Sequence, residues 1–236
     1  MIECKNLIKK YNKVTVVSNL SFRVNRGEIY GLLGANGAGK TTTIKMILGL
    51  TKIDGGEIKM PKDISIGYSP ETPYFYPFLT GAETLAFYSK IQKIRKTEAK
   101  QQIEEILEKV GLASSTPKKV QTYSKGMLQR LAVGQSLLGN PDLLILDEPT
   151  SGLDALGRLE MKNLILELKQ EGKTIILNSH ILSDVEKVAD RAIILKEGKL
   201  LAEVDLRNKD QNVNLEDIFI RAIGGIQDVG HHHEYL

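Results

Sequence analysis

With one cysteine and no tryptophan among 236 residues, the chain cannot rest on a disulfide framework, because Cys4 has no internal partner. The fold has to come from an apolar core, and a reducing compartment is expected. Neither sign of charge dominates: 32 Lys and Arg stand against 29 Asp and Glu, scattered along the chain for a net +3. There is no basic stripe, so nucleic acid is not an expected partner. No apolar run approaches the roughly 20 residues that span a bilayer, and Met1-Ile2-Glu3-Cys4-Lys5 lacks the apolar core of a signal peptide. Any work at a membrane is expected to go through a partner. A chain of this length buries about 70 to 75% of its unfolded surface, enough for one sizeable core and a smaller lobe.

What is present alternates between strand and helix signals. Ile2 to Val24 mixes β-branched and polar residues in short alternations, which predicts small antiparallel strands ending at the turn Asn25-Arg26-Gly27. Ile29 to Leu33 predicts a buried strand that runs through a Gly-rich loop into a helix stopping at Gly49. Asp54-Gly55-Gly56 reads as a turn, followed by strands through Ile58 and Ile64 to Tyr68. From about 78 to 140 the pattern is helical: Thr80-Gly81-Ala82-Glu83 fits a capping box, and Ile103, Ile106, Leu107 and Val110 recur at helical spacing. Leu143-Leu144-Ile145-Leu146 is wholly apolar, as a strand covered on both faces requires. Helix, strand, short helix and a two-stranded hairpin then follow to Val204, and Leu215, Ile218 and Phe219 suggest one more helical face. Strands alternating with helices predict an α/β core with an antiparallel β lobe and an inserted helical lobe. His231-His232-His233 is read as a solvated end without function.

Two motifs carry chemistry. Gly34-Ala35-Asn36-Gly37-Ala38-Gly39-Lys40-Thr41 matches the phosphate-binding loop and sits between the strand and helix that this pattern needs. Its glycines let backbone N–H groups converge on phosphate oxygens at a helix N-terminus; Lys40 reaches the β and γ phosphates and Thr41 offers a hydroxyl to Mg²⁺. The second motif is Asp147-Glu148, at the C-terminal edge of the apolar strand, where open α/β sheets bind ligands. Asp147 is placed to hold Mg²⁺ through water, and Glu148 to orient or deprotonate an attacking water.

Around these motifs stand Tyr123-Ser124-Lys125-Gly126-Met127-Leu128-Gln129-Arg130, then Pro149-Thr150-Ser151-Gly152-Leu153-Asp154, then a lone His180. In this order the chain resembles the ATP-binding-cassette (ABC) ATPases over residues 1 to about 205, with 206–236 as a C-terminal extension. The resemblance implies a P-loop NTPase fold with a RecA-like core, and a phosphate loop contacting ATP from Gly34 through Thr42. It also implies ATP held between two cassettes. Ser124, Lys125 and Gly126 would then meet the γ-phosphate in trans, and Asp154 would cross the dimer interface. His180 matches the residue that senses the γ-phosphate. Ser124 and Asp154 also suit helix N-caps, and Tyr11, which matches the aromatic that stacks on adenine, also suits an edge strand.

Two positions depart from the family pattern. Lys125 and Met127 replace a Gly and a Gln of the signature, a form resembling single-domain cassettes that power drug, polysaccharide or ion exporters. Glu71 stands where the family has Gln, a residue implied to touch Mg²⁺ or the attacking water. The run Pro73 to Phe78 either packs the helical lobe or forms part of a groove for a membrane partner. The expectation is therefore an ATP hydrolase, peripheral to the cytoplasmic face of the membrane, pairing with a second ATPase subunit and driving export through polytopic membrane permease subunits. A soluble ABC ATPase acting on DNA or ribosomes is the alternative. The coiled-coil insertion or second cassette of such relatives is not in this sequence, and Asn208-Lys209-Asp210-Gln211 fails the guanine motif at its fourth position.

Overall fold

A computed structural model describes residues 1–207 and 214–224; Asn208 to Gln211 and His231 to His233 lie outside the described residues. Among the described residues, nine strands form two sheets. In the first, β1 (Ile2–Tyr11) lies between β2 (Val14–Val24) and β4 (Gly55–Lys59), antiparallel to both. In the second, the order is β5 (Ile66–Ser69), β6 (Leu143–Asp147), β7 (Thr174–Asn178), β3 (Ile29–Leu33), β8 (Arg191–Lys196) and β9 (Lys199–Asp205), parallel except for β9.

The apolar strands are buried because both faces of the second sheet are covered. Alternate residues on one face, among them Leu144, Leu146, Ile175 and Leu177, join a core under the helices. Their neighbours Leu143, Ile145 and Ile176 join a second core beneath the antiparallel sheet. Period-two alternation thus persists inside a continuous apolar run.

The helices are α1 (Lys40–Ile47), α2 (Gly81–Ile91), α3 (Lys96–Lys109), α4 (Lys125–Leu137), α5 (Ala155–Gln170), α6 (Leu182–Val188) and α7 (Leu215–Gly224). The inserted helical region is α2 to α4. Thr80 and Glu83 form the expected reciprocal capping box at the start of α2. The helical insert sits close on the sheet: a Cβ on Gly67 of β5 would fall on the Ser136 carbonyl oxygen of α4, so only glycine permits that approach. Among the described residues, no helix is long and apolar enough to cross a membrane.

Two local expectations change. Gly55 and Gly56 already belong to β4, with Gly55 paired to Ile8, because Gly56 adopts φ 81° and lets the strand start within the glycine pair. Ile64 lies between β4 and β5, since the chain turns at Pro61 to reach the other sheet. The aromatic run splits: Phe75 is buried and meets Tyr88 edge-on at 6.2 Å, while Tyr74 and Phe78 are exposed. Leu215 of α7 is fully buried, and its N–H donates to Glu186 Oε1 at 3.0 Å.

Candidate active site

β3 delivers the chain into the Gly-rich loop at the C-terminal edge of the parallel strands. Gly34 has no room for a side chain: a Cβ would lie 2.5 Å from the Leu195 carbonyl oxygen and 2.8 Å from Ala38 Cβ. Gly39, at φ 100°, immediately precedes α1, so the helix begins without a side-chain cap and its first N–H groups face the loop. Lys40 is folded over the loop and donates to the carbonyl oxygens of Gly34 (2.7 Å) and Ala35 (3.3 Å). Burial pushes its ammonium below the ordinary lysine value, against the opposing fields of Glu148, Asp147 and Glu71.

Beside β3, the neighbouring β7 and the next strand β6 end together, with Asp147 directly opposite Asn178. Asp147 is buried and accepts a hydrogen bond from Asn178 Nδ2 and one of 3.4 Å from the Tyr68 hydroxyl. Burial raises its pKa above the usual aspartate value; the Asn178 bond opposes that rise, while Glu148 and Glu71 add to it. Partial burial beside this carboxylate pushes the Tyr68 hydroxyl up to about 12.

Glu148 sits at φ 52°, a left-handed backbone that a non-glycine residue adopts only under constraint. Its N–H donates to the Asn178 carbonyl at 2.9 Å, and its Oε2 lies 2.7 Å from His180 Nδ1. Gln129 Nε2, from α4, donates to its carbonyl oxygen at 3.3 Å.

These elements enclose one cleft of about 220 Å³, lined by the loop from Asn36 to Thr42 together with Glu71, Glu148, Asn178 and His180. Thr41 and Glu71 line this cleft with hard oxygens, whereas Asp147 is buried, does not line it and has its carboxylate oxygens engaged by Asn178 and Tyr68; among the described residues no group of three or more His, Cys, Asp or Glu forms a metal cage by itself. That donor set fits Mg²⁺, which is usually held by one or two protein oxygens, water and substrate phosphates. Asn178 Oδ1 is buried without a hydrogen-bond partner and belongs to a residue lining this cleft.

Other expected site residues lie elsewhere. Ser124, Lys125, Gly126 and Asp154 line a separate cleft of about 470 Å³ with Gly152 and Leu153. Ser124 caps α4 by accepting from the Met127 N–H at 3.3 Å, and Asp154 caps α5 by accepting from the Gly157 N–H at 2.7 Å. The Lys125 side chain lies across Gly152. Tyr11 is exposed outside the loop cleft, with Lys9 Nζ 5.2 Å from its ring centre, and Val16 lines the cleft instead. Asn178, Tyr68 and Gln129 were not among the expected site residues. Asn178 carries a usable signal, since it ends an apolar strand as Asp147 does; Gln129 carries none, being one polar residue among several on its helix.

Residues 17–151 match the family model described as ABC transporter. An uncharacterized ABC transporter ATP-binding protein of Synechocystis sp. is 47% identical over 204 residues, which cover 82% of this chain and 58% of the relative. The bacitracin transport ATP-binding protein BcrA of Bacillus licheniformis is 46% identical over 215 residues, covering 86% of this chain and 69% of that protein. The chain thus spans less than two thirds of the cyanobacterial relative. A solved structure described as the ATP binding subunit of an ABC transporter superposes with a TM-score of 0.83 at 30% identity, covering 94% of this chain and 99% of that one.

Proposed function

The chain belongs to the ABC transporter family, and from that premise we propose that it binds and hydrolyses ATP, pairing with a second such subunit to drive transport through separate membrane subunits. The cassette is assigned to residues 1–205, with 206–236 as an extension. The observation that carries the reading is the single cleft in which a phosphate-binding loop meets the carboxylate of Glu148 and the imidazole of His180.

In this reading the loop from Gly34 to Thr42 cradles the phosphates, and Lys40 releases the Gly34 carbonyl to reach the β and γ oxygens. Thr41, Asp147 and Glu71 would hold Mg²⁺, directly or through water. Bound with the nucleotide, the metal would neutralise charge on the β and γ phosphates. Glu148 accepts a proton from a water that attacks the γ-phosphorus; the bond to the β–γ bridging oxygen breaks, giving ADP and inorganic phosphate. His180 holds the Glu148 carboxylate in place and is within reach of the γ-phosphate. Tyr11, with its ring exposed, is assigned to adenine.

Ser124, Lys125 and Gly126 do not line the loop cleft of their own chain. Their role at a γ-phosphate therefore belongs to a second subunit, presented by the N-terminus of α4, and Asp154 lies on the same surface. Export is the direction proposed, on the form of Tyr123 to Met127, and the relative named for bacitracin transport supports transport itself. The subunit would sit at the cytoplasmic face of the membrane, with the exposed aromatics Tyr74 and Phe78 toward its membrane partner. A soluble ATPase acting on DNA or ribosomes has less support, because the matching family model is that of transporters.

Glu148→Gln keeps the shape of the site and removes the base. We expect ATP turnover to fall by about 10² to 10⁴-fold with ATP binding retained. Steady-state hydrolysis assays together with nucleotide titration check this, and unchanged turnover would remove Glu148 from its role.

A further inference from the structure

A catalytic carboxylate in a strained backbone conformation needs something to hold it there. Glu148 is a non-glycine residue at φ 52°, a state that persists only where its surroundings impose it. Three elements impose it. The Asn178 carbonyl of β7 takes its N–H, His180 engages its carboxylate, and Gln129 donates to its carbonyl oxygen. The first contact extends the sheet edge and the second acts on the end of the side chain. The Gln129 contact alone comes from the helical insert, reaching across from α4, whose first turn begins at the Ser124 cap.

Gln129 is buried, and an amide there has no water to fall back on. Its position on α4 would suit an apolar residue of the same length: the helix packs Leu131, Ala132 and Val133 into the core around it. An amide in that place makes a specific hydrogen bond where an apolar side chain would make only packing contacts. Rotation or translation of α4 changes the 3.3 Å separation directly, so the peptide after Glu148 follows the helix.

We propose that Gln129 is a positioning residue for hydrolysis, fixing the carbonyl of Glu148 so that its carboxylate points at the attacking water. It makes α4 a two-ended element: its N-terminus presents Ser124 to the opposite nucleotide, and its second turn sets the geometry of Glu148 in its own chain. This rests on the reading of Glu148 as the base.

The test uses the purified full chain with four sequences: wild type, Gln129→Met, Glu148→Gln and the double variant. Gln129→Met keeps the length of the side chain and removes the donor. A displaced catalytic group can cost up to about 10²-fold in rate, and the expectation is a fall in kcat of about ten- to a hundredfold with the KM for ATP within about twofold. In the Glu148→Gln background the same change is expected to have no further effect, because the residue acts only through Glu148. A structural role would instead reduce the residual activity further, or raise KM, and either result overturns the proposal. If Gln129→Met does not fold, Gln129→Leu, an apolar side chain that also lacks the donor, enters the same cycle. Full turnover in Glu148→Gln alone would defeat the base assignment itself; loss of turnover there, with Gln129→Met fully active, defeats only the positioning role.

Discussion

Asp147 shows what the site costs at the level of a single residue. Its carboxylate is buried among Asn178, Tyr68 and two other carboxylates, which raises its pKa above the unfolded value. Folding therefore takes up a proton in the interval between those two values. Above that interval the buried charge reduces stability, and below it the cost is gone. Asp147→Asn removes the charge and keeps an acceptor for the Asn178 amide. The nucleotide-free variant is expected to melt about 2–4 °C above the wild type at neutral pH, with the gain shrinking as the pH is lowered through the aspartate range. Calorimetry at neutral and acid pH checks it, and an equal shift at both would contradict the electrostatic cause. Residue types next to a motif were legible in the sequence, as with Lys40, Thr41 and Glu148. Gln129 was not, because its partner lies 19 positions away and only helix packing brings the two together; Asn178 showed its place at the end of an apolar strand, but its partner lies 31 positions away and only strand pairing reveals it.

At the level of elements, local signals and tertiary structure agree wherever a segment carries its own stop. α2 begins at its capping box, α5 begins at Asp154, and the apolar runs of β3, β6 and β7 become buried strands. The glycine pair at 55–56 misleads for a physical reason: the same conformational freedom that serves a turn also serves the irregular start of a strand. Gly67 is a more consequential case, since it lets α4 rest on β5, and the helical insert thereby keeps its register on the core. Gly67→Ala is expected to cost about 1–3 kcal/mol, the usual range for overpacking. Urea denaturation checks this, the midpoint falling with the slope unchanged; a midpoint equal to wild type would mean that the helix can move away freely. Because α4 also carries Ser124 and Gln129, such a shift would reach both ends of the proposed mechanism.

At the scale of the whole molecule, the strand order was out of reach of the sequence. Each strand is recognisable, but β3 lies between β7 and β8, strands more than 140 positions later, and no local pattern encodes that crossover. The order nonetheless decides the chemistry. It brings the loop after β3 and the carboxylates after β6 to one sheet edge, and leaves Ser124 and Asp154 on a separate surface. Half of the proposed ATP contact therefore faces outward, waiting for another subunit. The most direct test of that claim is analytical ultracentrifugation of the Glu148→Gln chain with Mg²⁺ and ATP, with bound nucleotide counted in the same sample. The account predicts a particle of two chains carrying one ATP per chain, which returns to single chains when ATP is replaced by ADP. Stoichiometric ATP on a particle of one chain's mass would contradict it.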